Sequence, residues 1–343
     1  MAASVPSDVR TSGAAVTEAP ALGVSGLRIE FPGRAGSLEA VGDVGFDVRA
    51  GRTLGVVGES GCGKSLSLRA ILGLVPRPGR AVDGAIQVGE RTFAAADTHA
   101  LAAIRGSEVG MVFQDPASSL NPVFSVGSQL TESLRLHQRM GRREAERRAV
   151  ELLTHVGIPS AAKRLRDYPH QLSGGMRQRV MIAVAIAASP RVLLADEPTT
   201  ALDVTIQDQI LTLLRDLQAE TGMAIVLVSH DLGVIAETAD EVVVMYAGRV
   251  IERGRVRDVI DAPRHPYTRG LMSSLPDVEP GARRQRLRTI PGQPPDLGQK
   301  PDGCPFAPRC AHARDACASI PVCLDREPPA HGSACPFDAE LPR

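Results

Sequence analysis

The octapeptide Gly58-Glu59-Ser60-Gly61-Cys62-Gly63-Lys64-Ser65 fits the pattern G-x-x-x-x-G-K-S, and its setting gives the pattern meaning. It follows the apolar run Thr53 to Val57 and opens a helical stretch, Ser65 to Leu74, the strand, loop and helix order in which such a loop wraps phosphates. Glycines let backbone N–H groups turn inward, and the helix N-terminus adds a positive dipole. Lys64 is expected to reach the β and γ phosphates and Ser65 to offer its hydroxyl to Mg²⁺. Gly58, Ser60, Gly61, Cys62, Gly63 and Leu66 complete the expected contacts, Cys62 being a small residue tolerated inside the loop.

Working outward, the compact apolar runs Thr53 to Val57, Val109 to Phe113, Val192 to Ala195 and Ala224 to Val228 each end in polar or glycine punctuation. Short buried strands alternating with helical patterns predict an α/β domain with a largely parallel sheet, spanning about 23–262. Between Asp115 and about Arg179 the pattern is helical and charged, which predicts a helical insertion with a solvated charged face. Residues 1–22 are rich in Ala, Ser, Thr and Gly without periodicity and are expected to form a disordered leader. After Pro263 proline, arginine and cysteine dominate, predicting a second, smaller, irregular unit over 263–343.

Asp196 ends an apolar strand and Glu197 follows it directly. After a phosphate loop these two acids divide the work: Asp196 is expected to hold Mg²⁺ and Glu197 to polarise the water that attacks the γ-phosphate. Leu172-Ser173-Gly174-Gly175 stands at the start of the apolar helix Val180 to Ala188. A serine and two glycines there make a second helix N-terminus suited to phosphate.

Composition excludes several classes. The 343 residues carry 39 basic and 39 acidic side chains, so no global positive field argues for nucleic acid. The longest nearly apolar run, Val180 to Ala188, is too short to span a bilayer, and the first residues lack the features of a secretory signal. No fixed-period repeat is visible.

The set of phosphate loop, Leu-Ser-Gly-Gly signature and Asp-Glu strand resembles the nucleotide-binding subunit of ABC transporters. The resemblance implies a P-loop NTPase-type ABC nucleotide-binding domain with a helical subdomain at about 115–179. It assigns Gln114 to sensing Mg²⁺ and the attacking water, His230 to the γ-phosphate, and Asp203, in Ala201-Leu202-Asp203, to a loop crossing a dimer interface. Phe31 becomes the candidate adenine platform, against a plain packing role. The signature of one subunit would cover ATP held by another, so the implied assembly is a head-to-tail pair of ABC ATPases, alike or homologous, serving two membrane permease subunits. An extracytoplasmic solute-binding protein would take part indirectly. The chain would then sit on the cytoplasmic side of the cell membrane as a peripheral subunit and bind no nucleic acid.

Gln114-Asp115-Pro116, Ser119-Leu120-Asn121-Pro122, His265-Pro266-Tyr267-Thr268 and Pro291-Gly292-Gln293-Pro294-Pro295 resemble the oligopeptide and dipeptide importer branch. The implied function is ATP hydrolysis that energises peptide uptake, with a nickel or other small-solute importer, or a soluble ABC ATPase acting on ribosomes or DNA, as alternatives. Cys304, Cys310, Cys317 and Cys335 form a small Cys-rich C-terminal extension, separated by five, six and seventeen residues. Four thiolates suit zinc or an iron–sulfur cluster. The resemblance implies a [4Fe–4S] cluster; zinc or no metal remain open, and Cys323 is an extra thiol that blurs the set.

Overall fold

A short, mainly aliphatic strand is stable only where both its faces are covered, and five such strands build the centre of this molecule. The computed structural model describes residues 19–34, 36–200, 202–274, 289–322, 324 and 331–341. Most of the expected leader, and Cys323, lie outside the described residues.

In chain order the strands are β1 (Leu22–Gly33), β2 (Gly36–Val48), β3 (Thr53–Val57), β4 (Arg80–Val88), β5 (Arg91–Ala94), β6 (Val109–Val112), β7 (Val192–Asp196), β8 (Ala224–Val228), β9 (Glu241–Tyr246), β10 (Arg249–Arg255) and β11 (His331–Ser333). The larger sheet runs β11-β10-β9-β3-β8-β7-β6. Its five strands from β9 to β6 are parallel, while β10 and β11 add antiparallel. Alternate residues feed separate cores. Leu193 and Ala195 of β7 join the core beneath the helices, whereas Val192 and Leu194 join a second core on the opposite face.

That second core is closed by a four-stranded antiparallel sheet, β2-β1-β4-β5, which the reading of 23–262 as a largely parallel domain did not anticipate. The reason is visible in β1. Leu22 and Val24 are buried on a period of two, then the buried set resumes at Leu27 and Ile29. A register shift between Val24 and Leu27, with Gly26 at φ 62°, breaks the alternation that would have announced the strand.

Between β6 and β7 the chain is helical, chiefly Val126–Gln138, Arg142–His155 and Gly174–Ile186. Val126, Leu130 and Leu134 recur every four residues and are buried, as are Ala145, Ala149, Leu152 and Leu153 of the next helix. The charged face is exposed, with Arg142–Glu146 and Arg147–Glu151 pairs at 3.1 and 2.7 Å; pairs so open to water add little to stability.

The tail is more closely joined to the rest than its composition suggests. Tyr267 and Phe306 lie in the core beneath the main sheet, and β11 pairs with β10. Glu252 of β10 is wholly buried and receives the backbone N–H groups of Arg264 and His265, with His331 Nε2 at 2.7 Å. A buried carboxylate is tolerable only with such a set of partners. Among the described residues no helix is long and apolar enough to cross a membrane.

Candidate nucleotide site

β3 delivers the chain at Val57 into the phosphate loop, and the helix Lys64–Ile71 leaves it. Gly61 and Gly63 have φ of 79° and 100°, which a side chain would strain. At Gly58 a Cβ would strike the Met245 carbonyl, so this position must be glycine on space alone. Lys64 is 5% exposed and curls back, its Nζ donating to the carbonyls of Gly58 at 2.7 Å and Glu59 at 3.1 Å. Cys62 is buried, and burial pushes its thiol up, so it packs as a neutral residue.

Ser65 Oγ donates to Asp196 Oδ1 at 2.7 Å. The other oxygen, Asp196 Oδ2, is buried without a partner, and burial raises the pKa of this carboxyl. A buried carboxylate oxygen with no donor is costly until a cation arrives. Ser65 and Asp196 thus fit Mg²⁺ as their natural guest.

Gln114, Glu197 and His230 come from the ends of β6, β7 and β8, and meet at one atom. Glu197 Oε2 accepts from Gln114 Nε2 at 3.0 Å and from Thr200 Oγ1 at 2.9 Å, and lies 3.3 Å from His230 Nδ1. Glu197 sits at φ 48°, a left-handed conformation costly for a residue with a side chain. Its backbone N–H donates to Val228 at 3.1 Å, which ties it to β8. Thr200 was not foreseen; its only signal was its place three residues after the glutamate.

A cleft of about 710 Å³ opens at the phosphate loop, within the range of small-molecule sites. Phe31 lines it together with Ser60 to Leu66, Gln114 and Glu197. Phe31 belongs to β1, an inner strand of the small sheet, and Gly79 is the residue that leaves its ring room. The sequence pattern does not reveal a further part of the lining: Gln293, Pro294, Pro295, Asp296, Leu297 and Lys300 all come from the tail. Their proline-rich sequence does not by itself say what it packs against.

Ser173, Gly174, Gly175 and Asp203 do not line this cleft. Ser173 caps the helix Gly174–Ile186, accepting from Met176 N–H at 3.3 Å, and Asp203 caps Val204–Thr221 through Ile206 N–H at 2.9 Å. The two turns adjoin, since a Cβ on Gly175 would meet the Ile206 side chain at 2.9 Å. Ser173 and Gly174 are exposed, so a second helix N-terminus faces outward.

Cys304, Cys310, Cys317 and Cys335 are free thiols around one small cavity, shared with Phe306, His312 and Phe337. Backbone N–H groups approach each sulfur: Phe306 and Ala307 at Cys304, His312 at Cys310, Arg314 at Cys317 and Phe337 at Cys335. Burial raises the Cys304, Cys310 and Cys335 thiols. Among the described residues no group of three or more His, Cys, Asp or Glu side chains is arranged to hold a metal ion.

Comparison with known proteins identifies the family. Residues 41–200 match the ABC transporter family model, and residues 251–317 match that of the oligopeptide/dipeptide transporter C-terminal region. A protein of Brucella melitensis, provisionally named a peptide import ATP-binding protein, is 49% identical over 326 residues, covering 92% of this chain and 96% of its own. A protein of Brucella abortus with the same kind of name is 50% identical over 300 residues, covering 87% and 90%. Among solved structures, an ATP-binding cassette captured as a dimer in a post-hydrolysis state with ADP and Pi matches with TM-score 0.61 and 28% identity, over 69% of this chain and 99% of that one. A component of an ABC transporter complex from Clostridium perfringens matches with TM-score 0.59 and 27% identity, over 71% and 92%.

Proposed function

The chain belongs to the ABC transporter family as an ATP-hydrolysing subunit, and from that premise we propose that it energises uptake of oligopeptides or dipeptides across the cytoplasmic membrane. The observation that carries the nucleotide chemistry is the meeting of Gln114 and His230 at Glu197, beside a glycine cradle that ends in Lys64 and Ser65. The peptide assignment is supported by the C-terminal match at 251–317 and by the names of the Brucella relatives.

In this reading Lys64 exchanges the Gly58 and Glu59 carbonyls for the β and γ phosphates. Ser65 gives its hydroxyl, and Asp196 its orphaned oxygen through water, to Mg²⁺, whose role is to neutralise developing phosphate charge. Glu197 accepts the proton of the attacking water, while Gln114 and Thr200 fix the carboxylate and His230 stands ready for the γ-phosphate. Phe31 takes the adenine. Ser173, Gly174 and Gly175, with Asp203 beside them, serve the cleft of a second ABC ATPase in a head-to-tail pair, since they face away from their own. Two permease subunits receive the resulting motion at the inner face of the membrane.

The test is to reconstitute the complete complex in vesicles. Hydrolysis stimulated by a peptide-loaded binding protein is expected; stimulation by nickel alone, or co-purification with ribosomes in place of permeases, would overturn peptide import.

We also propose that the four-thiol cavity takes a [4Fe–4S] cluster. What supports the reading is a set of four sulfurs round one cavity, each approached by a backbone N–H, in a donor set of the kind that holds such clusters. Anaerobically purified protein should show a broad visible absorption that is lost in Cys304→Ser. Colourless protein with stoichiometric zinc, or with neither metal, would refute it.

A further inference from the structure

Arg309 lies in the tail between Cys304 and Cys310, yet its side chain is spent on the phosphate loop. It is 9% exposed and uses every nitrogen. Nη1 donates to Glu59 Oε2 at 2.7 Å and Nη2 to Glu59 Oε1 at 3.0 Å, a bidentate pair; Nη1 also lies 3.2 Å from the Tyr246 hydroxyl. Nε donates to the Pro291 carbonyl at 2.8 Å. Glu59 is itself a residue of the phosphate loop, and its backbone N–H is held by the Tyr267 hydroxyl at 2.8 Å. The tail therefore grips this one loop residue by side chain and by backbone.

The Nε bond matters as much. Pro291 begins the segment whose residues 293–297 also line the nucleotide cleft. A single guanidinium thus joins the phosphate loop to a tail segment that lines the same cleft. A planar fork with fixed donor directions sets a distance between what it joins, which an ammonium on a flexible stem does not.

We propose that Arg309 is a positioning residue for ATP: it fixes the conformation of the phosphate loop and its separation from the 291–297 segment, and so sets nucleotide affinity without touching the reacting atoms. The proposal rests on the reading of the cleft as the ATP site. A role confined to stability would lower the folded fraction and leave the affinity of the folded protein alone.

The experiment measures MgATP binding to the full chain by calorimetry, with thermal stability in parallel and hydrolysis in the reconstituted complex. Arg309→Ala should weaken binding and raise the ATP KM by about tenfold, with kcat changed by less than about twofold. Arg309→Lys, which keeps the charge and most of the packing, should recover only part of the loss. Glu59→Gln should weaken binding, and should add nothing when combined with Arg309→Ala, because both remove one joint. A change in KM below about fivefold in both Arg309 variants, or a fall in kcat at constant KM, would overturn the proposal. Should Arg309→Ala fail to fold, Arg309→Lys and Glu59→Gln carry the test. Lys64→Ala separates the premise from the inference. If it abolishes binding while the Arg309 variants bind normally, only the role of Arg309 fails; if it too binds normally, the site assignment fails.

Discussion

Gln114 Nε2 and Glu197 Oε2, 83 residues apart in sequence, are held 3.0 Å apart across the ends of adjacent parallel strands. The bond directs the carboxylate, and the left-handed backbone of Glu197 aims it.

Glu197→Gln is isosteric and its amide oxygen can still accept from Gln114 and Thr200, so the fold and ATP binding should persist. Turnover should fall by at least about a hundredfold, the usual weight of a general base. In the assembled complex ATP should accumulate unhydrolysed between paired subunits. A variant with ordinary hydrolysis, read by phosphate release, would remove Glu197 from that role.

Asp196 shows a conflict between stability and activity. Its folded pKa is raised, chiefly by burial, so the ionised form required at neutral pH costs stability in the nucleotide-free chain. Asp196→Asn should therefore raise the melting temperature of the free protein while lowering Mg²⁺-dependent hydrolysis by about a hundredfold or more. Equal losses in both measurements would argue that Asp196 is structural.

Gly174→Asp adds charge and bulk at a helix N-terminus that faces away from the chain's own cleft. ATP binding to the isolated subunit should stay within about twofold, whereas hydrolysis in the complex should drop about a hundredfold, as a transition-state contact is replaced by repulsion. Lost binding in the isolated subunit would contradict the head-to-tail arrangement.

His265 is 1% exposed, and burial holds its pKa at about 3. Its Nδ1 accepts from Tyr267 N–H at 3.1 Å, a role that needs neutral imidazole. Above pH 6.5 neither folded nor unfolded histidine is charged and the contribution is complete; below it only the unfolded chain takes the proton, so stability falls with pH until about pH 3. Between pH 7 and pH 5 the loss is about 2 kcal/mol. Denaturant melts at both values should show a correspondingly smaller loss in His265→Asn, whose side chain can still cap the helix. An unchanged loss would assign the pH dependence elsewhere.

Legibility in the sequence followed the range of the cause. Thr53–Val57 and Ala224–Val228 were readable because burial on both faces selects a nearly unbroken apolar run. Gly58 to Ser65 was readable because backbone geometry restricts the residue types. The small sheet was hidden by the irregularity at Gly26, which shifts the two-residue alternation. Arg309 and Gln293 were invisible as site residues since their partners, Glu59 and the cleft, lie more than two hundred positions away. Charge in a sequence says nothing about which distant charge it will meet.

The short strand β11, three residues long, covers the outer side of β10. Shortening the chain before His331 would uncover a row of backbone donors and acceptors on β10, a template for any extended polypeptide nearby. Trimmed versions made for crystallography or display should clump before they lose their nucleotide chemistry, and a tail exchanged between relatives has to bring its own matching edge.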